Sequence, residues 1–325
     1  MKTVVFTLCS NNYLAHAKTL GDSIREMCPE TDFIIGLVDD FDPDIDYAFF
    51  SPYEIIKYDQ IGFDCFEDML SRYNIIEFNT AVKPYFLEYL LKKYGTGTKV
   101  YYIDPDIKLY SNINHLNNLL DSNDIVLTPN LTEMPNEVDL GELASLRHGL
   151  FNLGFIGVKY SDEGLQFVNW WKKRLRNHCL IDKPRGIFVD QKWVDIAVLY
   201  FKGMHIASHK GLNMAWWNLS ERRLIESDEK YFVNNLSEEL IFFHFSGYNP
   251  GSLNYTGRNN NLSDYTFEKK PELIGIFNEY TDLLYANGFE KLTLCKPKLN
   301  FGYAKEKLPS TFKNRLKRVI KKIIK

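Results

Sequence analysis

Short apolar runs alternate with longer segments of helical periodicity along most of this chain. The apolar runs predict strands at residues 3–8, 33–38, 54–58, 100–103, 125–127, 155–158 and 241–245. The periodic segments predict helices at residues 14–27, 77–94, 162–176 and 189–201. Strands separated by helices indicate an α/β domain with a mostly parallel central sheet. Ligands of such a domain bind at the carboxyl ends of the strands.

The end of the sequence has a different pattern. Residues 311–325 contain seven Lys or Arg and no acidic residue, and apolar side chains recur at helical spacing among them. After Ser310 as the N-cap, this predicts a basic amphipathic helix at residues 310–325, joined by an extended linker at 291–309 to a domain at 1–290. We expect the helix to bind an anionic membrane surface, with a solvated tail or a tail docked on the domain as the alternatives.

Composition narrows the class of protein. The 325 residues carry 39 Lys+Arg and 42 Asp+Glu, and the face of the basic helix lacks aromatic residues, so we expect no nucleic acid partner. Five cysteines without a paired short spacing exclude a disulfide scaffold. No apolar run approaches 18 residues, so neither a transmembrane helix nor a signal peptide is expected. These features predict a cytoplasmic enzyme held peripherally at the inner face of the plasma membrane.

The most informative segment places Asp104 and Asp106 directly after an apolar strand, with Pro105 restricting the backbone between them. Two carboxylates at this spacing suit one divalent cation. A phosphatase of the haloacid-dehalogenase type also has an Asp-x-Asp after its first strand. That motif continues with Thr or Val where this chain has Lys108, and it lies near the start of its domain, so this class is disfavoured.

The order of the motifs resembles nucleotide-sugar glycosyltransferases of the GT-A fold, in particular the retaining, family-8-like enzymes. The matching segments are residues 5–13 and 17–24, residues 80–86, Tyr-Ile-Asp-Pro-Asp at 102–106, and residues 151–157, 188–193 and 242–248. Together they span residues 4–250 in the same order as in that family. The segment 213–218 is also similar to bacterial enzymes of cell-surface polysaccharide assembly.

The resemblance implies a metal site made of Asp104, Asp106 and His244. An imidazole beside two carboxylates suits Mn²⁺ better than Mg²⁺, because Mg²⁺ prefers ligands that are all oxygen. Mg²⁺ is the alternative. The cation would stabilise the charge that develops on a leaving diphosphate. The other histidines, including His148, are assigned to ordinary structural positions.

The resemblance also implies the residues that contact the donor. Asp190 and Gln191 would act at the reaction centre, Asp190 on the sugar hydroxyls and Gln191 beneath the anomeric carbon. The remaining predicted contacts with base, ribose, diphosphate or sugar are Phe6, Thr7, Asn11, Tyr13, Lys83, Asp104, Asn152, Gly154, Ser246 and Gly247. Trp216 and Trp217 are assigned to the scaffold, with stacking on an acceptor sugar as the alternative.

The predicted reaction transfers a hexosyl unit from a nucleoside diphosphate sugar, with a UDP-sugar favoured, to a glycan or lipid-linked glycan. The resemblance implies retention of the anomeric configuration. Inversion would need a carboxylate base, for which Asp139, Glu142 or Asp195 is available. A protein glycosyltransferase and a non-catalytic glycan- or nucleotide-binding protein are the alternatives. A nucleotidyltransferase is disfavoured because residues 8–13 contain no glycine.

Overall fold

The computed structural model describes residues 2–250 and 266–302. Thirteen strands lie in these ranges. They are β1 Thr3–Cys9, β2 Asp32–Leu37, β3 Glu54–Lys57, β4 Lys99–Ile103, β5 Ile107–Leu109, β6 Ile125–Pro129, β7 Phe151–Lys159, β8 Ile181–Asp182, β9 Ile187–Phe188, β10 Met204–Ile206, β11 Leu224–Ser227, β12 Lys230–Val233 and β13 Phe242–His244.

Seven of these strands form the central sheet, in the order β10-β6-β7-β4-β1-β2-β3. Every neighbouring pair is parallel except those of β7, which runs antiparallel to both β4 and β6. The predicted α/β class with a mostly parallel sheet is therefore confirmed. The other strands form two-stranded pairs, β5 with β13, β8 with β9 and β11 with β12.

Nine α-helices lie in the described ranges. They are α1 Leu14–Met27, α2 Phe66–Arg72, α3 Ile75–Tyr94, α4 Asn114–Ser122, α5 Leu140–His148, α6 Asp162–His178, α7 Gln191–Ala197, α8 Ile274–Ala286 and α9 Phe289–Leu292. The longest, α3, begins at Asn74, whose side chain accepts from two backbone N–H groups of the first turn. It ends at Gly95, which takes a φ of +76°. Pro84 lies inside this helix.

The alternation of β1 divides the core between the two faces of the sheet. Phe6 and Leu8 point to the face covered by α3, whereas Val5 and Cys9 point to the face covered by α1. Because both faces are covered, the central strands are almost continuously apolar, as the sequence pattern indicates.

Two predicted elements differ in the structure. The helix predicted at 189–201 is only α7, because Val189 and Asp190 precede it and its last turn opens after Ala197. The strand predicted at 241–245 is β13, and it pairs with β5 outside the central sheet. The helices α2, α4, α5, α8 and α9 were not predicted.

The described chain after α9 returns to the carboxyl end of β2. The backbone N–H groups of Lys298 and Leu299 donate to Asp39 Oδ1, at 2.8 and 3.2 Å. Leu299 and Phe301 then pack against the core. The basic helix predicted at 310–325 lies outside the described residues, as does the linker from residue 303 onward. Among the helices in the described ranges, none has the length and apolar character needed to cross a bilayer.

Candidate active site

A cavity of about 650 Å³ opens at the carboxyl ends of β1 and β4. Ligand sites of α/β sheets occupy this edge, where strands end in loops. All but three of the residues predicted for the site line its wall. Those that do are Tyr13, Lys83, Asp104, Asp106, Asn152, Gly154, Asp190, Gln191, His244, Ser246 and Gly247.

Strand pairing brings the three predicted metal ligands together. In the antiparallel pair of β5 and β13, His244 lies opposite Ile107, which follows Asp106 in the chain. His244 Nε2 is therefore 3.1 Å from Asp106 Oδ1 and 3.8 Å from Asp104 Oδ2. One ligand atom from each of the three residues lies within 4.8 Å of the others.

The charges of this cluster reinforce one another. Burial lowers the pKa of His244, but the attraction of Asp106 outweighs it, so the pKa of this imidazole lies above its usual value. Burial alone would raise the pKa of Asp106, yet His244 and His16 hold it below the usual value. The imidazole and the two carboxylates thus converge on a place that suits a cation.

The wall around the cluster leaves room for an ion. A Cβ atom on Gly154 would lie 2.5 Å from His244 Cε1 and 2.8 Å from Asp104 Oδ2. Glycine at this position keeps the space between the two ligands open. Two carboxylates and one imidazole, with free space beside them, fit a divalent cation with mixed nitrogen and oxygen coordination.

A buried ion pair lies next to this cluster. Lys83 Nζ donates to Asp190 Oδ2 at 3.0 Å and to the carbonyl oxygen of Leu153 at 2.8 Å, and it is 3.8 Å from Asp104 Oδ1. Burial lowers the pKa of Lys83, but Asp190 and Asp104 outweigh it and raise the pKa, so the ammonium stays charged. Burial raises the pKa of Asp190, against the influence of Lys83.

The backbone before Asp190 is strained. Val189 has a φ of +38°, a conformation that a β-branched residue rarely adopts. Such strain costs about 1–3 kcal/mol and is common at functional sites, where surrounding contacts hold it. The backbone turn at Val189 leads into Asp190, whose carboxylate points inward to Lys83. Gln191 follows at the cavity wall, where its Nε2 donates to the His148 carbonyl oxygen at 3.2 Å.

The three predicted residues that do not line the cavity are Phe6, Thr7 and Asn11. Phe6 lies in the core, with its ring centroid 5.2 Å from that of Tyr102, and Thr7 is fully buried in β1. Asn11 Nδ2 donates to Asp39 Oδ2 at 3.0 Å. The alternation of side chains along β1 and the turn that follows it decide which residues of this segment face the cavity. Leu8, Cys9, Ser10 and Asn12 line the cavity at this end.

His148 also lines the cavity, although the sequence predicted an ordinary structural position for it. Its Nδ1 donates to the Ala144 carbonyl oxygen at 3.0 Å, and burial lowers the pKa of the ring below its usual value. The imidazole is therefore neutral near pH 7, with Nε2 able to accept a proton. His148 is the last residue of α5. The sequence signals for this helix were Asp139 as its N-cap and Gly149 directly after its end.

Two of the three carboxylates considered for an inverting reaction, Asp139 and Asp195, have structural partners. Asp139 caps α5 by accepting from the Glu142 N–H at 2.7 Å. Asp195 accepts from the Leu150 N–H and from Lys192 Nζ, each at 2.8 Å. None of Asp139, Glu142 and Asp195 is among the described residues that line the cavity, whereas Trp216 and Trp217 are.

The fold is that of the GT-A glycosyltransferases. Galactosyltransferase LgtC, solved with donor and acceptor sugar analogs, matches 90% of this chain and 97% of its own chain, with a TM-score of 0.50 and 14% identity. The glycosyltransferase GlyE of Streptococcus pneumoniae TIGR4 covers 94% of this chain at a TM-score of 0.48 and 13% identity, over 66% of its own chain. The assignment of the fold rests on LgtC.

Comparisons of sequence lead to proteins without a described activity. No family model matches the chain. The uncharacterized protein YfnF of Bacillus subtilis strain 168 is 28% identical over 179 residues, and YfnD of the same strain is 26% identical over 174. These matches cover 55% and 53% of this chain. The chain spans 59% of the length of YfnF and 54% of YfnD.

Proposed function

We propose that this protein is a metal-dependent glycosyltransferase that moves a hexosyl unit from a nucleoside diphosphate sugar to a glycan or lipid-linked glycan. The observation that carries the proposal is the cluster of Asp104, Asp106 and His244 in the cavity of a GT-A fold. A UDP-sugar is the favoured donor and bacterial cell-surface polysaccharide the favoured product, both by resemblance of the motifs. LgtC, whose structure holds donor and acceptor sugar analogs, supports transfer between two sugars.

In this proposal Asp104, Asp106 and His244 hold Mn²⁺. Bound there, the cation supplies Lewis-acid stabilisation of negative charge on the leaving diphosphate. Ser246 and Gly247 would offer backbone contacts to the phosphates, since Gly247 turns the chain at a φ of +74° directly after β13. Tyr13 and Asn152 would contact the nucleoside and the sugar.

Asp190 and Gln191 would act at the sugar. Lys83 holds the Asp190 carboxylate in place, so we assign it to orienting Asp190 and to placing positive charge beside Asp104, in addition to the predicted contact with diphosphate. Of the described residues, Asp139, Glu142 and Asp195 were the candidate bases for an inverting reaction, and none of the three lines the cavity, which supports retention. The neutral His148 is the group that would accept the proton if the configuration inverts.

A thermal-shift screen tests the donor. We expect one nucleoside diphosphate, or its sugar, to raise the melting temperature with Mn²⁺ and not with EDTA. A ligand at a hundredfold excess over its dissociation constant stabilises the folded state by about 2.7 kcal/mol, which is a shift of a few degrees. UDP, GDP, CDP and dTDP are compared on the wild type, Asp106→Ala and the exposed-site control Asp68→Ala.

The shift should disappear in Asp106→Ala and persist in Asp68→Ala, whose carboxylate pairs with Arg72 on the surface of α2. Absence of a shift with every nucleotide would contradict the proposal. In that case a screen of glycans without nucleotide would decide whether the protein is a non-catalytic binding module.

We further propose that residues 310–325 bind an anionic membrane surface on the cytoplasmic side. Deleting these residues should abolish flotation with vesicles that contain anionic lipid, because the basic residues and the apolar stripe are removed together. A full-length variant with its seven Lys and Arg changed to Gln serves as the charge control. Equal flotation of the deleted and full-length chains would contradict the idea, and circular dichroism would show that the domain remains folded.

A further inference from the structure

Asn213 lies directly beside the proposed metal ligand His244. It is fully buried and takes a φ of +55°, in the left-handed region that Asn tolerates better than most residues. Its backbone carbonyl accepts from Asn218 Nδ2 at 3.0 Å, which holds the turn. The backbone is thus held where the side chain points toward the imidazole.

Three contacts decide which end of the Asn213 amide faces His244. Nδ2 donates to Thr128 Oγ1 at 2.9 Å, and it lies 3.4 Å from Asn152 Oδ1. That oxygen of Asn152 already accepts from the Gly154 N–H at 3.0 Å, so only a donor suits it. The amide nitrogen therefore faces Thr128 and Asn152, and the amide oxygen is left for His244.

Asn213 Oδ1 is 3.2 Å from His244 Nδ1. Because an amide oxygen only accepts hydrogen bonds, Nδ1 must carry the hydrogen. Nε2, on the opposite side of the ring, lies 3.1 Å from Asp106 Oδ1 and 3.8 Å from Asp104 Oδ2, so it is the ring nitrogen available to a cation held by these carboxylates. In metal sites generally, the second ring nitrogen of a ligand His donates to such a partner, which sets the ring orientation and its tautomer.

We propose that Asn213 is a positioning residue that holds His244 in the Nδ1–H tautomer, with Nε2 aimed at the cation. This inference rests on the proposed metal site. The same amide contacts Asn152, so it also links the metal end of the cavity to the residue proposed to contact the donor sugar. Sequence spacing does not reveal this link, because Asn213, Thr128 and His244 belong to three separate segments.

The first test measures Mn²⁺ affinity by titration calorimetry on the full chain without nucleotide. Asn213→Gly removes the amide while keeping a residue that accepts the positive φ, so the loss of the hydrogen bond is separated from backbone strain. We expect binding to weaken 10- to 100-fold, as is typical for loss of such a partner. Asn213→Asp keeps an acceptor for Nδ1–H, and its second oxygen can accept from the Thr128 hydroxyl, but it loses the contact with Asn152 Oδ1. We therefore expect a smaller loss of affinity than in Asn213→Gly.

The matched control is Asn287→Ala. Asn287 is also a buried amide, and its Nδ2 donates to Thr19 Oγ1 and Asp22 Oδ2 at 3.0 and 3.1 Å, away from the cavity wall. Its loss should lower the melting temperature without changing Mn²⁺ affinity. Wild-type affinity in Asn213→Gly, or equal weakening in Asn213→Gly and Asn213→Asp, would overturn the inference.

The second test needs no change at Asn213. In the full chain labelled with ¹⁵N-histidine and loaded with Zn²⁺, long-range ¹H–¹⁵N correlation should show His244 with hydrogen on Nδ1 and none on Nε2. The signal is assigned by its loss in His244→Gln. A hydrogen on Nε2 would overturn the inference even if the variants failed to fold. Failure of the wild type to bind Mn²⁺ would instead contradict the metal site of the proposed function.

Discussion

Asp106→Asn is expected to reduce Mn²⁺-dependent glycosyl transfer by about a thousandfold. Asn keeps the size of the side chain but removes the negative charge that faces His244 Nε2 at 3.1 Å. Metal stabilisation of a leaving group contributes several kcal/mol, and each 1.36 kcal/mol is tenfold in rate, so losing most of it gives about this factor. The measurement is kcat/KM for the donor across a Mn²⁺ titration.

Asp68→Asn provides the matched control, because it makes the same chemical change on an exposed face of α2. Its kcat/KM should stay within about twofold of the wild type, since an exposed ion pair contributes only about 0–1 kcal/mol to stability. If Asp106→Asn kept wild-type kcat/KM at every Mn²⁺ concentration, the assignment of Asp106 as a metal ligand would be wrong.

Lys83→Met is expected to lower the free energy of unfolding by about 3–5 kcal/mol. The side chains of Lys83 and Asp190 are only 6% and 2% exposed, so removing the ammonium leaves a buried carboxylate without its partner. Breaking a buried pair from one side typically costs this amount, whereas replacing both members with apolar residues is often neutral. Urea unfolding, followed by circular dichroism, measures the change.

The double variant Lys83→Met/Asp190→Leu should recover much of that stability, although we expect it to be inactive. Lys99→Met is the comparison with an ion pair whose carboxylate is exposed. Lys99 is equally buried, but its partner Asp121 is 47% exposed and keeps its hydration when the pair is broken. This variant should therefore lose less stability than Lys83→Met. A double variant as unstable as Lys83→Met would show that the two charges are not coupled.

The local pattern of the sequence predicted the central sheet well. The apolar run before Asp104 is β4, and the helix predicted at 14–27 is α1 with the same bounds. These elements follow local rules, because burial on both faces requires continuous apolar strands and a helix requires its own periodicity. The segments of the ordered motifs also contain most of the residues that line the cavity, and several of these segments lie at the ends of the strands.

Local rules do not resolve the orientation of single side chains. Phe6, Thr7 and Asn11 belong to the predicted nucleotide-binding segment, but their side chains turn to the core or to Asp39. Ser10 and Asn12 line the cavity beside Asn11. A matching segment locates a strand in the fold but not the direction of each side chain. The pleat of the strand and the turn that follows it decide which side chains point outward.

By itself, the sequence determined the α/β class and the apolar strand that precedes Asp104 and Asp106, and the resemblance of its motifs proposed His244 as the third candidate ligand. Only the tertiary structure decided the rest. Pairing of β5 with β13 brings His244 to Asp106, and burial joins Lys83 to Asp190 across 107 positions of the chain. Asn213 comes to His244 by the same kind of long-range packing. Propensity and periodicity act over a few residues, whereas these contacts form only when distant segments are buried together.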